Sequence, residues 1–507
     1  MRVALVNTNR VKPPIAPLGL DYISEVLHST GHEVHLLDLC LAGDWEAAVS
    51  VFFGAREFDL VGVTLRNTDD CAFASGASFL GEFAAIAGAI RKLTGAVLVL
   101  GGGGFSVMPE RILALASADA GVWGDGEGAL AEIAVRMERG EAWSDVQNLV
   151  WRRGAHWHRN RPEAYPLHAL PSMSRRWVDN AWYYREGGQA GIETKRGCPG
   201  RCIYCADPLA KGRDIRTRPP GAVADELERL LAQGIDHIHL CDSEFNMPEE
   251  HARAVCGEII RRHLGDRVHW YAYCSPVPFS ASLARMFRRA GCAGINFGVD
   301  NGDPHMLARL ERPFIPGDIL RAVRACAAER IAVMCDLLLG SPGETEESIT
   351  RTIDLMKRAG PDRVGVALGV RVYPGTALAE MIARENRGEG LRGDDGTSAP
   401  LFFIEPAVVP RAPDLIARLT DGDERFLFND PSRPEANYNY NANELLVDAV
   451  KRGYRGAYWD ILRRVAHDLP NTKSHSPHSR RRTETACAKM DPDVRPQRKR
   501  GSENSEG

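Results

Sequence analysis

Lys195-Arg196-Gly197-Cys198-Pro199-Gly200-Arg201-Cys202-Ile203-Tyr204-Cys205 sets three thiols in a C-x3-C-x2-C array. Thiolates so spaced can hold three corners of a 4Fe-4S cube, and with no fourth cysteine nearby one iron is left open to a chelating ligand. Structural zinc fits the spacing less well. It asks for four closed ligands, usually in two short pairs, and the next cysteine, Cys241, has no partner at pair distance. Plain core cysteines would not need Pro199 and Gly200 between them, whereas converging thiolates require a tight loop of that kind.

The elements around this loop must come from a large chain. Its 507 residues, 44 % of them hydrophobic, suffice for roughly three domains of about 150 residues. A net charge of -4 and a pI near 6.5 provide no global field for nucleic acid. Twelve cysteines with three in one loop point to reduced thiols and so to the cytoplasm. Met1–Asn7 reads as a strand rather than a signal peptide. No apolar run approaches the roughly 18 to 20 residues that span a bilayer. A soluble protein with neither a membrane nor a nucleic-acid partner is expected.

Short β-branched or Leu-rich runs at 2–6, 33–38, 59–64, 96–100 and 119–123 alternate with helical stretches such as 18–30 and 76–93. That alternation predicts an α/β fold with a doubly wound parallel sheet over 1–145. Loops at the C-terminal ends of its strands should line a ligand crevice. They hold Arg66 and Asn67, then Gly102 and Gly103, then Gly126. Glycines there let backbone approach a large ligand because no Cβ intervenes, although a flexible strand-to-helix turn explains them equally simply. A hairpin-like linker is expected over 146–185. Strands near 190–195, 235–241, 268–274, 293–299, 331–339 and 363–371 predict a partial (β/α)6 barrel over 186–386, with its site at the strand C-termini. Residues 387–467, including the aromatic-amide run Asn437–Asn441, read as a small α/β cap. Residues 468–507 turn to Ser, Arg, Lys, His and Pro, a composition expected to be disordered.

Four further segments follow the barrel strands in order: Asp242-Ser243-Glu244-Phe245-Asn246, Gly294–Gly302, Asp336–Thr345 and Tyr373-Pro374-Gly375-Thr376. With the cysteine loop they resemble the radical S-adenosylmethionine (SAM) superfamily. The first 140 residues, with Pro17-Leu18-Gly19-Leu20 and Gly31-His32-Glu33-Val34, resemble the cobalamin-binding domain that precedes many of its barrels. The resemblance implies three cofactors: a 4Fe-4S cluster on Cys198, Cys202 and Cys205, SAM on the open iron, and cobalamin on the first domain. It implies that Glu244, with Asp242 sharing the role, holds the SAM amino group, a cation that needs such acceptors. Tyr204 is implied against adenine, Asp300 at the ribose hydroxyls and Leu338 beside adenine. The family's glutamate is aspartate at position 300, one carbon shorter. The Asp-x-His-x-x-Gly loop that ligates cobalt from below is absent from the first domain, so Arg66 or Asn67 is expected to face cobalt's lower side. The alternative is that Arg66 pairs with Asp69, Asp70 or a corrin amide.

The implied activity is transfer of a methyl group from SAM, by way of methylcobalamin, to a carbon of a small-molecule or peptide-precursor substrate. The arginine-bearing loop and aromatic C-terminal region look similar to the tryptophan 2-methyltransferase branch. Tyr271 and Tyr273 are candidates for the substrate pocket, and a flavodoxin or ferredoxin is the implied electron donor. Cobalamin-dependent cyclisation or rearrangement shares every motif. A non-catalytic cofactor-binding regulator is the alternative of another class.

Overall fold

β1 (Arg2–Asn7), β2 (Glu33–Asp38), β3 (Leu60–Thr64), β4 (Val97–Gly101) and β5 (Ala120–Val122) form a parallel sheet in the order β2-β1-β3-β4-β5. Val3–Val6 of β1 are fully enclosed, as befits a strand covered by helices on both faces. The strand order reverses between β1 and β3, so the crevice of this sheet opens beside the loop that follows β3. That loop carries Arg66 and Asn67. The expected hairpin is present as β6 (Leu149–Arg153) and β7 (His156–Arg159). It pairs antiparallel with β5 and so extends the first sheet instead of standing as a free linker. Leu149 and Val150 bury, while Arg152, Arg153 and all of β7 stay exposed, which protects the sheet edge with charge.

The second sheet joins β8 (Ala190–Ile192), β11 (His237–Leu240), β12 (His269–Cys274), β13 (Cys292–Asp300), β14 (Ala332–Leu339) and β15 (Arg363–Leu368), all parallel. A ribbon of β9 (Lys195–Arg196) and β10 (Arg216–Thr217) brackets the cysteine loop. Small antiparallel strands β16 (Val370–Arg371), β17 (Leu391–Arg392) and β18 (Phe402–Phe403) follow the last barrel strand. A seventh parallel strand, β19 (Phe426–Phe428), adds to β15 from the segment read as cap, at Val364↔Phe426. Three residues carry too little periodicity to announce a strand whose partner lies some sixty residues away.

The computed structural model describes residues 1–394, 399–428 and 443–468. The aromatic-amide run Asn437–Asn441 and residues 469–507 of the expected tail lie outside the described residues. Among the described residues no helix is long and apolar enough to cross a membrane.

Along β12, Ala272 and Cys274 turn outward into the core under the helices, which leaves Tyr271 and Tyr273 on the inner face. Tyr271 is there taken up by the C-terminal helix Tyr458–Asp468: its hydroxyl donates to Asp460 at 2.9 Å and its ring meets Trp459 edge-on. Trp459 sits so closely over Gly294 that a Cβ there would lie 2.9 Å from the indole. This packing stoppers the N-terminal mouth of the barrel. Tyr271, one of the two substrate-pocket candidates, is thereby buried against this helix.

Candidate functional site

The cysteine loop is shaped by two glycines. Gly197 adopts φ +94° against the Asp214 carbonyl, where a Cβ would come within 2.1 Å, so only glycine passes. A Cβ on Gly200 would stand 3.2 Å from Cys198 Sγ and 3.8 Å from Cys202 Sγ, so both sulfurs turn over the same residue. Backbone bonds from Cys198 N to Gly212 O and from Ile203 N to Leu310 O hold the loop independently of the thiols. Burial pushes the Cys205 thiol up to about 12, with Asp207 adding to it, and burial also raises Cys202. Metal binding at this loop therefore displaces protons. Among the described residues no three His, Cys, Asp or Glu side chains meet at single-ion distance; a cluster asks less, since each cysteine binds its own iron.

Arg196, two residues before Cys198, ties this loop to the first sheet. Its guanidinium pairs with Asp125 at 2.7 Å, Glu127 at 2.9 Å and Glu193 at 2.7 Å, and Arg216 closes on the same Asp125 carboxylate. Asp125 and Glu127 flank Gly126 in the loop after β5, so one nearly buried ion network joins a crevice loop to the cysteine loop. Asp125→Asn is expected to cost about 2 kcal/mol of stability and to lower iron retention after reconstitution, read by thermal melting and iron assay. An unchanged melt would show that Glu127 and Glu193 suffice.

Past β11, the two carboxylates expected for the SAM amino group part ways. Asp242 spends both oxygens on the chain itself, accepting from Thr194 N at 2.8 Å, Thr194 Oγ1 at 2.6 Å and Lys195 N at 3.2 Å. It pins the strand that enters the cysteine loop. Glu244 keeps a buried oxygen, Oε2, without a partner, and burial pushes it up to about 7. A carboxylate in that state is completed by a donor-rich cation.

Arg312 is the residue that sequence reading missed. It donates to Cys202 Sγ at 2.7 Å and to Gly298 O at 2.5 Å, and pairs with Asp300 at 3.1 Å and Glu244 at 3.8 Å. No local signal marks it, because 110 residues separate it from Cys202. Asp300 accepts from the Tyr204 hydroxyl at 2.6 Å and holds φ +61°, a left-handed conformation that a non-glycine residue keeps where the surroundings enforce it. Leu338 packs with Tyr204, Ile203 and Leu378 into an apolar patch beside this pair. Structure thus gathers Cys202, Tyr204, Glu244, Asp300 and Leu338 at the C-terminal ends of the strands.

Arg66 and Tyr273 face a shared chamber. Both are reached by solvent, Tyr273 at 37 %, yet loss of surrounding water is the largest influence on each, lowering Arg66 and raising Tyr273. The two side chains are solvent-reached and electrostatic neighbours, so they face each other across one gap. The electrostatic neighbours of Arg66 are Cys241, Tyr458, Tyr273 and Cys71, so the chamber lies between the loop after β3 and the ends of β11 and β12. Asp69 pairs with Arg371 and Asp70 bonds Ser75, and Arg66 makes no salt bridge among the described residues. In the orientation that satisfies its amide, Asn67 accepts from Arg66 at 3.2 Å. Arg66 thus carries its charge, beside Asn67, at the crevice of the first sheet.

The glycine run lies against the protein's own chain. A Cβ on Gly102 would strike Leu65 O at 2.4 Å, and one on Gly103 would press on Arg66 O at 3.3 Å. These glycines let the Arg66 loop lie flat on the turn after β4. A Cβ on Gly126 would meet Ile23 at 2.9 Å. The close approach that needs them is made by the protein's own chain.

Residues 192–367 match the radical SAM superfamily and residues 4–134 the B12 binding domain. The tryptophan 2-C-methyltransferase of Streptomyces laurentii is 33 % identical over 449 residues, 76 % of this chain and 75 % of that protein. An uncharacterized methyltransferase of Pyrococcus horikoshii is 24 % identical, over 73 % of this chain and 79 % of its own. The solved structure of the radical SAM methyltransferase TsrM from Kitasatospora setae, with tryptophan substrate and the SAM analogue aza-SAM bound, superposes with a TM-score of 0.87. It is 31 % identical and covers 92 % of this chain and 98 % of its own. A second TsrM structure, with cobalamin and a [4Fe-4S] cluster bound, gives a TM-score of 0.85 at 30 % identity, with the same coverage of both chains. With 33 % identity to a curated methyltransferase over 76 % of its length and both family models matched, the chain belongs to the cobalamin-dependent radical SAM methyltransferases.

Proposed function

We propose that this enzyme methylates carbon 2 of tryptophan or of a closely related indole amino acid. The observation that carries the reading is the similarity along nearly the whole chain to a methyltransferase solved with tryptophan bound. When bound, the cluster supplies the anchoring iron, SAM the methyl group and cobalamin its carrier. Cys198, Cys202 and Cys205 would hold the cluster, with the Arg312 guanidinium against Cys202 offsetting its negative charge. Glu244 would receive the SAM ammonium with its unpartnered oxygen, the Tyr204–Asp300 pair the ribose and adenine, and Leu338 the adenine face. Arg66, supported by Asn67, would help hold the cobalamin and offer its cobalt no nitrogen ligand of the histidine kind, and Gly102, Gly103 and Gly126 belong to the loops that would hold it with them. The Trp459–Tyr271 stopper keeps water from entering through the N-terminal mouth of the barrel.

A low-potential carrier such as flavodoxin or ferredoxin would reduce the loaded protein. The eleven described cysteines are all free, which suits a reducing cytoplasm. The test is anaerobic incubation of the reconstituted protein with tryptophan, hydroxocobalamin, a low-potential reductant that brings the cobalt to Co(I), and methyl-deuterated SAM, followed by mass spectrometry and carbon NMR. One labelled methyl on indole carbon 2 is expected; turnover of SAM with no methylated indole would overturn the substrate. Arg66→Ala should keep its iron, lose about 10–100-fold in methyl transfer and shift the corrin absorption, because water gains access to cobalt's lower side. An unshifted corrin spectrum would place Arg66 elsewhere.

A further inference from the structure

Glu244 is not the only carboxyl in the chamber with an unsatisfied oxygen. Asp336 lies on β14, where Cys335, Leu337 and Leu339 turn outward into the core and leave it on the inner face of the barrel. Its Oδ1 is buried without a hydrogen-bond partner. Unlike Glu244, it has no cation: Asp336 forms no salt bridge among the described residues, and burial pushes it up to about 7, against the pull of the Asn296 amide and with the charge of Asp300 adding to the rise. Its neighbours in register, Gly298 on β13 and Gly365 on β15, supply no side chain at that level.

Asn296 stands beside it. Ile295, Phe297 and Val299 face the outer core, so Asn296 also points inward, with 4 % exposure and its own Oδ1 unpartnered. Asn296 is in register with Tyr273 on the adjacent strand, and its amide bears on both the Tyr273 hydroxyl and the Asp336 carboxyl. When Asp336 is ionised the two orphan atoms are both acceptors, and a group that brings donors and positive charge completes them and holds the carboxylate ionised. A primary ammonium has three N–H donors, and Asp336, Asn296 and the Tyr273 hydroxyl oxygen offer three acceptors.

We propose that Asp336, Asn296 and Tyr273 form the site for the primary ammonium of the methyl acceptor. The inference rests on the reading of this chamber as the place of methyl transfer, in which the ammonium of SAM belongs to Glu244. Its consequence is a substrate class: a free amino acid or amine is accepted, and an indole inside a peptide chain, whose nitrogen is an amide, is not.

The experiment is anaerobic equilibrium binding to the holoenzyme of three probes, tryptophan, indole-3-propionate and Nα-acetyltryptophan, with SAM affinity measured alongside. Wild type should prefer tryptophan by about 100-fold over both amine-blocked probes. Asp336→Asn, which keeps shape, should remove that preference and leave indole-3-propionate and SAM bound as before. Asn296→Ser, a second and milder variant, should cost about tenfold for tryptophan alone. Equal binding of the three probes by wild type, an equal loss for every probe in Asp336→Asn, or a parallel loss of SAM affinity would each overturn the proposal. If wild type binds no indole, the tryptophan reading fails by itself. The ammonium site is then judged on phenylalanine, tyrosine and lysine against their deaminated acids, and no amine preference in that panel overturns it.

Discussion

Alanine at Cys198, Cys202 and Cys205 together is expected to take bound iron after reconstitution from about four per chain to none, and methyl transfer below detection. The size of the effect follows from what the loop offers. Its three half-exposed thiols are the donors gathered in one turn, and no other cysteine lies in that turn to replace a lost ligand. Loss of a second-sphere partner costs a metal site about 10–100-fold, and loss of the ligands themselves exceeds that. The fold should survive, because the loop hangs on backbone bonds from Cys198 N and Ile203 N that need no sulfur. Corrin uptake should survive as well, since its loops belong to the first sheet. Iron assay, corrin absorption and far-ultraviolet circular dichroism on one sample separate these outcomes. Four irons retained in the triple variant would place the cluster elsewhere.

Arg175→Met is expected to destabilise the protein by about 3–5 kcal/mol, a large share of the roughly 5–15 kcal/mol that holds a domain folded. Arg175 is buried between the sheets, paired with Asp21 of the first helix at 2.7 Å and with Glu226 at 2.6 Å, while Arg218 holds the other oxygen of Glu226 at 2.6 Å. Methionine fills the space but leaves Asp21, itself 2 % exposed, with no opposite charge. Burial already pushes Asp21 up to about 6, with Arg175 pulling it down. Without that pull the folded-state value rises further above the unfolded one. A carboxyl of this kind is bound to more protons in the folded state, so stability is greatest at low pH and falls as pH rises through the window between the two values. The defect should accordingly be smaller at pH 5 than at pH 8. Denaturant unfolding at both pH values reads this; an equal defect at the two would show that Asp21 is not the group left stranded.

The parts of this protein legible in its residues are those that short-range rules govern. Alternation of apolar runs and helical stretches located the five parallel strands of the first sheet and six of the second, because side-chain period and turn residues act over a few positions. The cysteine spacing named its chemistry for the same reason: a tight loop is a local object, and three thiols within eight residues stay together in any fold that keeps the loop. Partner choice was not legible, since it is made between residues far apart in sequence. Only the folded chain put Arg312 on Cys202, gave Asp242 to Thr194 and Lys195 while leaving one oxygen of Glu244 unpartnered, and packed Tyr271 against the helix at the N-terminal mouth of the barrel while Tyr273 faces Arg66. Tertiary packing likewise decided that β19 closes the second sheet and that the glycines after β4 accommodate the Arg66 loop. A residue's type sets what it can donate, accept or ligate; the distant neighbours that packing brings to it decide which of those capacities are already used and which are left for a ligand.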